Sequence, residues 1–124
     1  MNSKSQIEKL FNDWNNALQT GNPKSVASLY DENDGVLLPT VSNQVRHNRE
    51  EIEDYFERFL LKKPVGTIDE SNVRIFGDLA INSGIYTFQF SDQSKVQARF
   101  TFVYRNSGSE WKIVEHHSSQ MPEG

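Results

Sequence analysis

The segment from Lys95 to Arg105 limits the possible folds more than any other part of this sequence, because polar and apolar residues alternate along it. Successive side chains of a strand point to opposite faces, so the pattern predicts a β-strand with one apolar and one polar face. The apolar face carries Val96, Ala98, Phe100, Phe102 and Tyr104. The polar face carries Lys95, Gln97, Arg99, Thr101 and Arg105.

Other strands are predicted around this one. In the second half of the chain they cover residues 65–76, 79–90 and 111–119 and form a four-strand meander with it. The turns between them are rich in glycine, asparagine, aspartate and serine, which tolerate unusual backbone angles or hydrogen-bond locally. A shorter strand is predicted at Val36–Leu38, with residues 44–47 as its hairpin partner.

The first half of the chain has the periodicity of helices. The first helix carries an apolar stripe made of Ile7, Leu10, Phe11, Trp14 and Leu18. Ser5 with Glu8 is a capping-box pair, and Ser3 with Gln6 is a second candidate. Gly21 supplies a left-handed stop after this helix.

Two more helices precede the meander. Asn22 is the predicted cap of a short helix that starts at Pro23, and Asn48 opens a third helix with Glu51 in the capping-box position. Pro64 ends the third helix. Helices followed by strands predict an α+β fold, with the helices on one face of an antiparallel sheet.

Composition excludes several classes of function. The 124 residues fit a single domain, residues 1–124, and contain no cysteine, which excludes disulfides, thiolate metal sites and cysteine catalysis. The net charge of −4 argues against nucleic-acid binding, which needs a basic face. No apolar run is long enough for a membrane span, and the polar N-terminus does not resemble a signal peptide. We therefore expect a cytoplasmic protein without cofactor or metal.

Several short motifs resemble a known family when taken in order. They are Leu37-Leu38-Pro39-Thr40, Tyr55-Phe56, Phe59-Leu60, Lys63-Pro64, Tyr86-Thr87-Phe88, residues 99–105 and residues 111–119. Together they resemble the association domain of calcium/calmodulin-dependent protein kinase II, within the nuclear transport factor 2-like superfamily, and most closely its bacterial SgcJ/EcaC relatives. The resemblance implies a cystatin-like cone, in which N-terminal helices pack on a strongly curved antiparallel sheet. It also implies dimerisation through the sheet, and rings of dimers in the kinase branch.

Arg99 is the first candidate for a ligand pocket. The resemblance implies a pocket lined by arginines, which bind carboxylates through paired hydrogen bonds. Arg99 falls near one such position, with Thr101 as the alternative equivalent, while a second arginine position aligns with Asp54. Two interpretations of Arg99 are open. It lines the pocket if the polar face of the curved sheet forms the pocket wall, and otherwise it is a surface residue on that face.

His116 and His117 are further candidates, and they point to opposite faces of the last strand. They cannot bind one metal as neighbours. One of them should face the pocket, where it could bind an anion or titrate near neutral pH, or it is hydrogen-bonded within the sheet. Other candidates for the pocket are Trp14, Tyr30, Arg46 and Tyr86, with a simple core role as the alternative for Trp14.

Two functions remain open from the sequence. The first is a self-associating domain with a small pocket that could bind an anion; apolar residues such as Val103 and Val114 on strand faces shared with polar residues fit a sheet covered by a partner subunit. The second is an enzyme acting on a small hydrophobic carbonyl or polyketide-like compound, as in SnoaL- and ketosteroid-isomerase-like proteins. The resemblance implies a carboxylate base just before the first-strand proline, but that position is Leu38. Dehydratase-type relatives use a histidine with an aspartate, and His116 or His117 with Asp13 or Asp31 fits that pattern only if the fold brings them together.

Overall fold

The computed structural model describes residues 3–40 and 42–122 and contains three α-helices and five strands in these ranges. The α-helices are α1 (Lys4–Gln19), α2 (Pro23–Ala27) and α3 (Arg49–Phe59), and a single 3₁₀ turn, Leu60–Lys62, extends α3. The strands are β1 (Val36–Leu38), β2 (Val65–Phe76), β3 (Leu79–Gln89), β4 (Lys95–Asn106) and β5 (Trp111–Gln120). No helix in the described ranges is both long and apolar enough to cross a membrane.

The helix starts follow from side-chain caps. Ser3 accepts a hydrogen bond from the Gln6 amide, so the second capping candidate is the correct one and Ser5 lies inside the first turn. Asn22 and Asn48 cap α2 and α3 as predicted. In each case the side-chain oxygen satisfies a first-turn amide that has no partner within the helix.

The sheet is mixed rather than wholly antiparallel. Its strand order is β1-β5-β4-β3-β2, and β2 to β5 form the predicted antiparallel meander. β1 instead runs parallel to β5, with Val36 opposite Glu115 and Leu38 opposite His117. The predicted hairpin partner of β1 is reduced to one bridge, between Leu37 and Arg46. A three-residue strand carries no local signal for its direction, which depends on pairing with a strand far along the chain.

Two bulges bend the long strands, one between Ile68 and Glu70 in β2 and one beside Val103 where β4 meets β5. Bulges increase local twist and curve a sheet. Gly84 on β3 lies at the first bulge, where a Cβ atom would come within 2.0 Å of the Glu70 carbonyl oxygen. The sheet can therefore curve here only because residue 84 has no side chain.

The core lies between the helices and the inner face of the sheet. The stripe predicted for α1 is largely correct, since Ile7, Phe11, Trp14 and Leu18 are buried. Trp14 packs edge-on against Phe102 of β4, with ring centroids 5.6 Å apart. The apolar face predicted for β4 is the inner face, and only Val96, at the strand's start, is substantially exposed on it.

Candidate ligand-binding site

A cavity of about 250 Å³ lies between α3 and the inner face of the sheet. Its walls are mainly aromatic and aliphatic, formed among others by Trp14, Tyr55, Phe56, Phe59, Tyr86, Phe88, Phe90 and Ala98. The α3 residues reach it because they occupy one face of the helix, and the strand residues because they alternate inward. An apolar pocket with a few convergent polar groups is the usual form of a small-molecule site.

Five residues of the cavity wall belong, with Tyr30, to one connected chain of hydrogen bonds, called here the hydroxyl–imidazole chain; the wall residues Tyr55, Lys62 and Gln120 lie outside it. Trp14 Nε1 donates to Tyr30 Oη over 3.3 Å, and Tyr30 Oη lies 2.8 Å from His116 Nδ1. His116 Nε2 lies 3.2 Å from Tyr86 Oη. The chain joins residues from α1, from the end of the α2 segment and from two strands.

The chain continues beyond Tyr86 into the cavity wall. Tyr86 Oη donates to Ser118 Oγ over 2.6 Å, and Ser118 Oγ is hydrogen-bonded to Thr40 Oγ1. Tyr86, His116, Ser118 and Thr40 all line the cavity, whereas Tyr30 lies behind His116. The members of the chain are therefore paired with one another, as buried polar groups require.

Burial keeps the chain uncharged. It lowers the pKa of His116 to about 3, with a further contribution from the nearby charge of His117. Burial also raises the pKa of Tyr30 and of Tyr86 well above the usual value for tyrosine. At neutral pH the imidazole and both phenols are neutral, so the titration near neutral pH considered for a pocket histidine does not occur at His116.

Comparison with known proteins identifies the family. A sequence model of the calcium/calmodulin dependent protein kinase II association domain matches residues 3–122. The chain belongs to this family. A Xanthomonas campestris protein assigned to the same association domain is 51% identical, with a TM-score of 0.94 over 100% of this chain and 91% of that one. No curated protein matches the sequence significantly.

More distant structures share the fold of this association domain. A nuclear transport factor 2-like protein with a cystatin-like fold from Novosphingobium aromaticivorans is 13% identical, with a TM-score of 0.80 over 98% of this chain and 83% of that one. A Streptomyces avermitilis protein of the same superfamily, suggested to be a dehydratase, is 16% identical, with a TM-score of 0.84 over 96% of both chains. At these identities the likeness concerns the fold alone. It confirms the predicted α+β, cystatin-like and nuclear transport factor 2-like architecture.

Three of the residues predicted for the pocket lie on the cavity wall of this association domain: Trp14, Tyr86 and His116. Tyr30 supports that wall from behind through its bond to His116 Nδ1. Trp14 and His116 each combine the two roles that the sequence offered as alternatives, a structural role and a position on the cavity wall. Trp14 is a core residue that also faces the cavity, and His116 is a hydrogen-bonded sheet residue that also faces it.

Arg99 and Thr101 do not line the cavity. Both lie on the outer face of β4, where Arg99 pairs with Ile85 and Thr101 with Ser83, and Arg99 is exposed. Their neighbours Ala98 and Phe100 point inward, and alternation sends residues 99 and 101 the other way. The expectation that the polar face forms the pocket wall is therefore wrong, because the wall is the aromatic inner face.

His117 and Arg46 also lie outside the cavity. His117 is exposed on the outer face of β5, opposite Thr101. The Arg46 guanidinium lies 5.6 Å from the centre of the Tyr55 ring and donates to Asp54 Oδ2 over 2.8 Å. Arg46 thus supports Tyr55 from behind the wall, and Asp54 serves as its partner.

Sequence reasoning missed several wall residues. Ser118 could have been found, since it lies two residues after His116 and shares its face. Phe56 and Phe59 entered the sequence analysis only within motifs of the family resemblance. Thr40 has no comparable signal, because it reaches Ser118 only through the parallel pairing of β1 with β5.

Proposed function

We propose that this chain is a self-associating domain that pairs through the outer face of its sheet and holds a small apolar molecule in its cavity. Membership of the association-domain family is the observation that carries the first part. The aromatic wall of the cavity supports the second.

The outer face has the composition expected of a subunit contact. Ile81 pairs with Val103, and Ile85 pairs with Arg99, so apolar side chains lie at the centre of β3 and β4 on this face. The described helices bury their apolar residues against the inner face instead. Glu115 and Arg99 place both signs of charge on the same surface. A second copy related by a two-fold axis can therefore oppose apolar to apolar and acid to base.

Light scattering and native mass spectrometry of the purified chain test the self-association. We expect a dimer or larger assembly at micromolar concentration. Ile85→Glu should shift the population to monomer, because it places a carboxylate in the contact without touching the core. Leu61→Glu is the matched control, since Leu61 is 78% exposed and lies on the 3₁₀ turn rather than the sheet. A monomeric unmodified chain at micromolar concentration would refute the proposal.

The cavity favours an apolar ligand over the anion that the resemblance implies. Among the described wall residues Lys62 is the one cationic side chain, and it is exposed. His116 is neutral and Arg99 lies on the other face. A carboxylate inside the cavity would thus lose its hydration without gaining a buried cation, which costs several kcal/mol, on the order of the desolvation of an unpaired ion.

The enzymatic alternative has less support. The wall residues in the described ranges include no aspartate or glutamate that could act as a base. Asp31 accepts hydrogen bonds from Arg105 and from the amides of Asn33 and Asp34, and Asp13 lies in a different groove beside Tyr104. Neither carboxylate is hydrogen-bonded to His116. The cytoplasmic location remains a prediction from the sequence.

A further inference from the structure

The hydrogen bonds of the hydroxyl–imidazole chain all have the same donor-to-acceptor direction, and Trp14 determines it. An indole N–H can only donate, so Tyr30 Oη accepts from Trp14 Nε1. Among the described hydrogen bonds, the one other partner of the Tyr30 hydroxyl is His116 Nδ1, at 2.8 Å. If Nδ1 carried a proton, the buried Tyr30 hydroxyl proton would have no acceptor, which folded proteins avoid. The Tyr30 hydroxyl therefore donates to Nδ1.

The same donor-to-acceptor direction continues on the other side of the His116 ring, toward the cavity. A neutral imidazole carries one N–H, so Nε2 holds it and donates to Tyr86 Oη over 3.2 Å. Tyr86 then donates to Ser118, in agreement with their 2.6 Å geometry. Ser118 has its own proton to give, and Thr40 Oγ1 is its neighbour. The proton at the open end of the chain is then that of the Thr40 hydroxyl, on the cavity wall.

We propose that the cavity selects a neutral, mainly apolar compound with one hydrogen-bond acceptor, such as a ketone or ester carbonyl, which binds to the Thr40 hydroxyl. This inference rests on the proposed ligand-binding role of the cavity. The apolar part of the ligand packs against Trp14, Phe56 and Phe88. A dry cavity of about 150 Å³ holds benzene, so the 250 Å³ found here suits a single ring with a short substituent.

Three probes of similar size separate the possible ligand classes. Acetophenone carries a carbonyl acceptor, ethylbenzene carries no acceptor, and benzoate is an anion. Their binding is measured by amide chemical-shift titration of the unmodified chain and of Thr40→Val, which exchanges a hydroxyl for a methyl group of the same shape. We expect acetophenone to bind about three- to tenfold more tightly than ethylbenzene, as one net hydrogen bond allows.

The variants identify the donor. Thr40→Val should abolish the preference for acetophenone while ethylbenzene binds as before. Thr67→Val is the same exchange at an exposed position of the edge strand β2, outside the cavity, and it should leave both affinities unchanged. Equal binding of acetophenone and ethylbenzene to the unmodified chain, or tightest binding of benzoate, would overturn the inference while leaving the cavity a ligand site. Failure of all three probes to bind would overturn the ligand-binding role as well. Self-association is tested separately, by light scattering.

The direction of the chain is tested without any ligand. Long-range proton–nitrogen correlation spectra distinguish the protonated from the bare nitrogen of an imidazole, and a His116→Gln spectrum assigns the signals. We expect the proton of His116 on Nε2. A proton on Nδ1 would reverse the chain, make Thr40 an acceptor and overturn the inference.

Discussion

Tyr86 and His116 meet across an intervening strand. Tyr86 lies on β3 and His116 on β5, with β4 between them, yet Tyr86 Oη and His116 Nε2 are 3.2 Å apart. Strands two positions apart are separated by roughly 10 Å, so both side chains must lean inward over β4. Two rings of β4 support them, since Tyr86 stacks on Phe100 and His116 stacks on Phe102, with ring centroids 4.8 Å and 4.0 Å apart. The contact thus depends on the curved sheet and on the aromatic side chains of β4 beneath it.

Removing the Tyr86 hydroxyl should destabilise the protein. Tyr86→Phe leaves the His116 Nε2–H and the Ser118 hydroxyl without their partner, at a cost of about 1–3 kcal/mol in the free energy of unfolding. Tyr104→Phe is the matched control, because the buried Tyr104 hydroxyl has no hydrogen-bond partner in the described structure. That control should be neutral or stabilising. Urea denaturation measures both, and equal effects would contradict the role of the chain.

His116 should make stability depend on pH below neutrality. Its pKa is near 6.5 in an unfolded chain and is lowered to about 3 in the folded protein. Between these values the unfolded state binds more protons, so the free energy of unfolding falls as the pH is lowered, by up to about 1.4 kcal/mol per pH unit. Denaturation between pH 7 and 5 measures the slope, because carboxylates with ordinary pKa values of about 4 remain mostly ionised there.

Two variants show whether His116 causes this dependence of the free energy of unfolding on pH. His116→Gln should reduce it, because the variant has no buried imidazole to protonate. His117→Gln should retain most of it, since His117 is exposed on the outer face. An unchanged slope in His116→Gln would show that another group causes the pH dependence.

Gly84 should tolerate no side chain. In Gly84→Ala the new Cβ would lie 2.0 Å from the Glu70 carbonyl oxygen, so the bulge of β2 must shift. We expect a loss of about 1–3 kcal/mol, as for other overpacked sites. Ser83→Ala, on the neighbouring outward position, should cost about 0.5 kcal/mol or less. Thermal unfolding followed by circular dichroism compares the two, and a Gly84→Ala variant of unchanged stability would contradict the predicted clash.

Filling the cavity should prevent binding without abolishing the fold. Ala98→Leu extends an inward side chain of β4 into the cavity that Ala98 lines. We expect the affinity for acetophenone to fall at least about tenfold, since little room remains for the ring. Tyr104→Phe, at a groove on another part of the molecule, should bind acetophenone normally. An unchanged affinity of the Ala98→Leu variant for acetophenone would show that acetophenone binds outside this cavity.

The sequence by itself determined most of the helices and strands and which side chains of β4 share a face. Periodic apolar residues in α1, alternation in β4 and asparagine caps at α2 and α3 are local signals, and the structure follows them closely. Which of His116 and His117 faces inward stayed open, because the bulge where β4 meets β5 interrupts the alternation between Ile113 and His116. The capping residue of α1 was ambiguous because Ser3 and Ser5 both precede a suitable partner.

Only the tertiary structure decided the direction of β1, the outward position of Arg99 and the identity of the polar chain in the cavity. The parallel pairing of β1 with β5 joins residues about eighty positions apart, and nothing local in Val36–Leu38 encodes it. Alternation shows that Arg99 and Ala98 face opposite ways, but not which face encloses a cavity. Thr40, Tyr30 and Tyr86 meet the last strand through distant contacts alone. Such contacts depend on how the helices and the curved sheet pack together, which sequence periodicity does not describe.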